Sequence, residues 1–121
     1  MILNQFLFLD IDNLITYWIA ETFVTNNDIV NCRFFSNPNI DDGKWHFIFY
    51  DLDFGMYYYR VNYYDIMTDP LGMGSMRLPS ALTRNLFKNE QFRQRFVEIL
   101  SEMLETTWTE ERLLNKIDEL S

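Results

Sequence analysis

With 121 residues, 48% of them hydrophobic and 17% aromatic, the chain has material for one domain with a modest core and not for two. A net charge of −8 excludes a nucleic-acid partner, since a phosphate backbone needs a basic face to neutralise it. An anionic substrate would be reached only through cations supplied by bound metal or by other parts of a longer protein. The single cysteine, Cys32, excludes an internal disulfide framework and reads as a packed thiol rather than a reactive one.

The first residues, Met1 to Leu9, have no basic region and only a short apolar run, so they form neither a signal peptide nor a membrane span. An apolar run opening a chain without a polar lead-in reads as a start in mid-protein. Asp10 or Asp12 can cap a helix, because a carboxylate there accepts the otherwise orphan amides. Ile11, Leu14, Ile15, Trp18, Ile19 and Phe23 then recur at helical spacing, which predicts an amphipathic helix to about residue 24. Thr25-Asn26-Asn27-Asp28 ends it with turn-forming residues.

Two strand-like runs follow, Cys32 to Phe35 and Trp45 to Tyr50, separated by the turn-rich Ser36-Asn37-Pro38-Asn39-Ile40-Asp41-Asp42-Gly43. They predict a hairpin whose second strand leads straight into Asp51-Leu52-Asp53-Phe54-Gly55. Residues 56 to 79 hold aromatics, methionines, glycines and prolines without a clear period, and read as a long ordered loop. Its Tyr57, Tyr58, Tyr59, Tyr63 and Tyr64 suit packing of that loop, or a partner surface. Three helices close the chain. Ser80 is expected to cap one carrying Leu82, Leu86 and Phe87. Asn89 is expected to open a longer one with Phe92, Phe96, Ile99, Leu100, Met103 and Leu104 on one stripe. Thr109 would cap the last, with Leu113, Leu114, Ile117 and Leu120.

Chemistry concentrates in two acidic clusters. In an extended segment residues two apart project to the same side, so Asp51 and Asp53 would converge at the end of a strand whose preceding Phe47-Ile48-Phe49-Tyr50 looks buried. Two carboxylates so placed repel, and a divalent cation relieves that cost; Mg²⁺ favours one or two carboxylates with phosphate oxygens and water. Capping of nearby turns is the alternative. The second cluster, Asn26-Asn27-Asp28-Ile29-Val30-Asn31, suits a general base beside a metal-binding amide, or plain turn capping. His46, beside Trp45 in the second strand, reads as a satisfied or surface histidine rather than a ligand, and the methionines read as core and loop filling.

Together the clusters resemble the CotH family, named for a spore-coat protein kinase. The matching residues are Tyr17, Asn27, Asp28, Asn31, Gly43-Lys44-Trp45 and Tyr50-Asp51-Leu52-Asp53-Phe54-Gly55, with a later match over Leu86-Phe87-Lys88-Asn89-Glu90-Gln91-Phe92-Arg93 and then Phe96. The resemblance spans nearly the whole chain and its motifs fall in the family's order. It implies an α+β chain that is part of a kinase-like large lobe: long helix, hairpin, functional loop and three C-terminal helices. It further implies transfer of phosphate from ATP, with Mg²⁺ or Mn²⁺, to a protein Ser or Thr hydroxyl. Asp28 would then be the catalytic base or a metal-adjacent acid, Asn31 a second metal or phosphate contact, and Asp51 the leading metal ligand, with Asp53 sharing the metal or orienting the loop.

The pattern departs from ordinary kinases, which carry His-Arg-Asp with an Asn five positions after the Asp. Here Asn27 precedes Asp28, Asn31 follows it by only three, and the loop between them is shorter than the family's usual version. No Gly-rich phosphate loop or strand lysine precedes the first helix, so residues 1–121 read as one fragment of a longer domain lacking its nucleotide lobe, inactive or nearly so alone. Where that lobe docks, exposed apolar surface would favour self-association. The family's spore-coat and surface members would place the parent in an envelope or exported setting. They also supply the alternative reading, a non-catalytic surface or scaffold module. A rival enzyme class is the haloacid-dehalogenase phosphatases, whose apolar-strand and Asp-x-Asp opening is resembled by both Phe6 to Asp12 and Ile48 to Asp53. Those runs continue Asn13-Leu14 and Phe54-Gly55 where that class has Gly-Thr, and the alternating strand-helix pattern is missing.

Overall fold

The computed structural model describes residues 8–26, 32–56, 62 and 77–121, with 77–80 as backbone only. Its described elements are mixed α and β: helix α1 (Ile11–Phe23), strands β1 (Arg33–Ser36) and β2 (Trp45–Ile48), and helices α2 (Arg77–Phe87), α3 (Glu90–Glu102) and α4 (Glu110–Leu120). Among the described residues no helix is long and apolar enough to cross a membrane.

Helix α1 begins where its cap chemistry dictates. Asp10 is extended, and its Oδ1 accepts from the Asn13 amide at 2.9 Å. Leu14, Ile15, Trp18 and Ile19 are buried along one side of the helix, and Tyr17 is buried beside them. Burying each large apolar side chain contributes about 1.5–3 kcal/mol, so this stripe is the main driving force for the fold. It packs against α3 and β2, and α3 in turn packs on α2. Leu86, Phe92 and Ile99 complete the core, with Phe87, Phe92 and Phe96 in mutual ring contact.

β1 and β2 form the expected antiparallel hairpin, with Arg33 opposite Ile48 and Ser36 opposite Trp45. The other edge of β2 is occupied too. Trp45 donates to the Phe8 carbonyl at 2.6 Å and its carbonyl accepts from Asp10 at 3.1 Å, so the segment before α1 runs parallel to β2. One residue pair further, the Asn13 side chain takes the place of a strand. Its Oδ1 accepts from the Phe47 amide at 2.6 Å and its Nδ2 donates to the Phe47 carbonyl at 3.3 Å.

Several expectations are corrected. β2 stops at Ile48, and Ile48 and Phe49 are exposed while Phe47 and Tyr50 are half-buried, so the strand is neither as long nor as covered as its apolar run predicts. α2 already begins at Arg77, so Ser80 lies inside it and is not its cap; Pro79 is tolerated there because the first helical turn has no amide to lose. α3 gives way after Glu102 to a π-helical turn at Met103–Thr107. On α4, capped by Thr109 as expected, the apolar stripe meets little: Leu114, Ile117 and Leu120 are all exposed. The long loop at 56–79, with its tyrosines, lies largely outside the described residues.

Candidate functional site

The end of α1 and the acidic turn after β2 build one site. Past Phe23 the chain turns through Val24 and Thr25, which has a left-handed φ of 48°, a conformation that costs a β-branched residue energy. This turn lays an acceptor and a donor against residues 51–56. The Val24 carbonyl accepts from the Met56 amide at 2.5 Å, and Asn26 Nδ2 donates to the Asp51 carbonyl at 3.5 Å. Asn26 itself is buried, and its amide is held by the Glu21 carbonyl at 3.2 Å.

The acidic turn is not extended. Asp51 has φ 60° and Met56 φ 61°, and Leu52 to Gly55 closes as a tight turn with Gly55 N donating to the Leu52 carbonyl at 2.8 Å. The alternation argument for Asp51 and Asp53 therefore fails, although both carboxylates are exposed on the same turn. Gly55 is required by close approach: a Cβ there would stand 2.9 Å from the Leu52 carbonyl oxygen and 3.4 Å from that of Val24. Any side chain would lift the turn off the end of α1. Arg33, 4.8 Å from the Tyr50 ring centroid, brings a cation to the ring just before Asp51.

Behind the turn lies a buried acid that sequence reasoning passed over. Glu21 is 2% exposed, and burial pushes its carboxyl up from the usual range. The Asn26 and Tyr17 side chains donate to it and pull the other way, while Oε2 has no hydrogen-bond partner among the described residues. Tyr17 also reaches Cys32, whose thiol is pushed up by burial, with the Glu21 charge adding to the shift. Cys32 is half-buried, the setting of a packing thiol. The one signal in the sequence was Glu21's position on α1 between Trp18 and Ile19 on one side and Phe23 on the other, where a charge is unexpected.

Of the sequence-derived site residues, Asp51 and Asp53 sit on this turn, and Asn26, directly preceding Asn27-Asp28, tethers it. Asp28 and Asn31 lie outside the described residues.

A second polar cluster joins the α1 cap to the hairpin turn. His46 Nδ1 lies 3.4 Å from Asp10 Oδ2, and Nε2 lies 3.8 Å from Asp41 Oδ2. The three side chains could hold a metal ion. The ring is stacked on Phe35, and Nε2 is buried without a hydrogen-bond partner among the described residues. Two neighbours already account for the acids. Lys44 Nζ pairs with Asp41 Oδ1 at 3.0 Å, and Asp10 spends its other oxygen on the helix cap. His46 is thus a largely buried histidine between two carboxylates. Asp12, the other acid of the phosphatase-like opening, makes a bidentate pair with Arg95 at 2.9 and 2.6 Å, which holds its carboxyl below the usual range.

A family model described as CotH kinase protein matches residues 7–121. The chain belongs to the CotH kinase family. The match covers α1, the hairpin, the acidic turn and all three C-terminal helices. No curated protein and no solved structure gives a match.

Proposed function

We propose that residues 1–121 form the metal-binding portion of a CotH-type protein kinase with a kinase-like large lobe, one that moves phosphate from ATP to a Ser or Thr hydroxyl. A single observation carries the reading. The turn bearing Asp51 and Asp53 is docked on the end of α1 by Asn26 and Val24, the same segment that runs on into Asn27-Asp28. Two acidic motifs 20-odd residues apart in sequence are thereby tied through one backbone junction, and family membership gives that junction a chemistry.

The residue types fit a divalent cation. Asp51 and Asp53 are exposed residues two apart at one turn, and carboxylates are the hard donors that Mg²⁺ and Mn²⁺ prefer. The cation, when bound, neutralises charge on the nucleotide phosphates. The protein's part is positioning. Asp51 and Asp53 would hold the cation, Asn31 would supply a further amide oxygen to it or to a phosphate, and Asp28 would take the proton of the acceptor hydroxyl at its carboxylate. Three non-glycine residues at or beside this junction, Thr25, Asp51 and Met56, have left-handed backbone, strain of the kind that collects at functional sites. In this reading the lobe that clamps ATP comes from outside residues 1–121.

The test is calorimetry with Mn²⁺, with and without ATP, on the wild type and on Asp51→Asn. Asparagine is the right substitution because it tolerates the left-handed φ of 60°, whereas alanine would add backbone strain to the loss of charge. Affinity should fall roughly tenfold or more in Asp51→Asn. Equal affinity in the two proteins, or none in the wild type even with ATP, would sink the proposal.

A further inference from the structure

Resting on the metal-binding reading of the Asp51 turn, we infer that Glu21 is a positioning residue for that turn, acting through Asn26. The carboxyl is buried beneath the junction and accepts from the Asn26 side chain. That same side chain donates through Nδ2 to the Asp51 carbonyl. An amide nitrogen has two hydrogens, so Asn26 spans the gap between a fixed acceptor on α1 and the backbone of the residue that presents the first carboxylate. Without the Glu21 acceptor, a buried amide hydrogen would be left unsatisfied and Asn26 would be free to turn away.

Nothing about packing requires an acid here. Glu21 lies on a helix whose other buried residues are apolar or aromatic, and a leucine of similar volume would fill the space without the cost of burying a carboxyl. Its presence is accounted for by the hydrogen bond it offers. Burial pushes its carboxyl up from the usual range, while the Asn26 hydrogen bond pulls the other way. The chemistry suits a relay that fixes geometry and leaves the cation to the exposed acids.

The experiment compares wild type, Glu21→Gln, Glu21→Leu and Asn26→Ala, with Asp51→Asn as reference, by Mn²⁺ calorimetry and by hydrogen exchange at the Gly55 and Met56 amides. Glutamine keeps the acceptor oxygen; leucine keeps the volume alone; Asn26→Ala breaks the relay from its other end. Glu21→Leu and Asn26→Ala should each weaken Mn²⁺ binding about tenfold, the size expected of an outer partner of a metal ligand, and should speed exchange at Met56. Glu21→Gln should match the wild type in both. Undiminished Mn²⁺ binding in Glu21→Leu, with Asp51→Asn impaired, overturns the inference and leaves the functional reading standing. So does an equal loss in Glu21→Gln and Glu21→Leu, which would mark Glu21 as merely structural. A wild-type chain without Mn²⁺ affinity removes both.

Discussion

At the scale of single residues, position on the backbone decides which acids can do chemistry. Asp10 and Asp41 are engaged by a cap and a lysine, and Asp12 by Arg95, whereas Asp51 and Asp53 are exposed residues of a turn that Val24 and Asn26 hold. Burial raises the Glu21 carboxyl from its usual value, and the sign of the consequence can be worked out. A carboxyl whose folded pKa is raised binds its proton more tightly in the native state. It therefore favours folding fully below the unfolded value of about 4.3 and loses that contribution as pH rises through the raised value. Asp12, with its lowered pKa, works in the opposite direction, and is common to wild type and variant. The difference in melting temperature between Glu21→Gln and wild type should accordingly grow in favour of the variant from pH 4 to pH 7.5. A difference that stays flat across that range would show Glu21 to be ionised without penalty. Beyond its place among apolar neighbours on α1, little of this could be read from the sequence, because a glutamate on a helix ordinarily faces water and burial belongs to the fold.

At the scale of elements, what the sequence revealed depended on whether an element is local. α1, its Asp10 cap, the hairpin, and the Asn89 and Thr109 caps follow from short-range patterns, and the structure has them. The conformation at Asp51 does not, since its left-handed φ depends on tethers from Val24 and Asn26, some 25 residues away. Asn13 escaped notice for the same reason: on α1 it looks like one more polar position, yet it satisfies both backbone groups of Phe47. Asn13→Ala should leave that pair of half-buried groups without protein partners and cost about 1–3 kcal/mol in denaturant unfolding. Asn13→Asp, which keeps the acceptor and loses the donor, should cost less. A change under about 0.5 kcal/mol for alanine, the range of an ordinary surface substitution, would mean that water replaces the amide without loss.

At the scale of the whole molecule, the described residues show a core centred on α1, α2 and α3 with much apolar surface left outside it. Phe34, Phe35, Trp45, Ile48 and Phe49 on and after the hairpin are exposed, as is the apolar stripe of α4. Stacked Phe23 and Trp108 line an apolar groove of about 240 Å³ between α1 and the end of α3. Such surface predicts association of the chain with itself at high concentration, opposed by the charge of −8, so salt should promote it by screening the repulsion. Sedimentation velocity at low and high salt measures this; a strictly monomeric chain in both would count against it. Family membership was legible because motif order survives without any knowledge of packing, while the exposed faces could not be foreseen from periodicity, which marks apolar stripes but not what covers them.

The Asn13 amide also governs how this sheet can grow. An edge strand is a template for further pairing, and exposed aromatic hairpins are prone to stack into fibrils through such edges. With Phe8, Asp10 and Asn13 occupying one side of β2, an incoming strand finds no vacancy there. Among the described residues the remaining template is β1, four residues long and opened by a charged arginine, so the molecule's most apolar ribbon is shielded on one flank and blunted on the other.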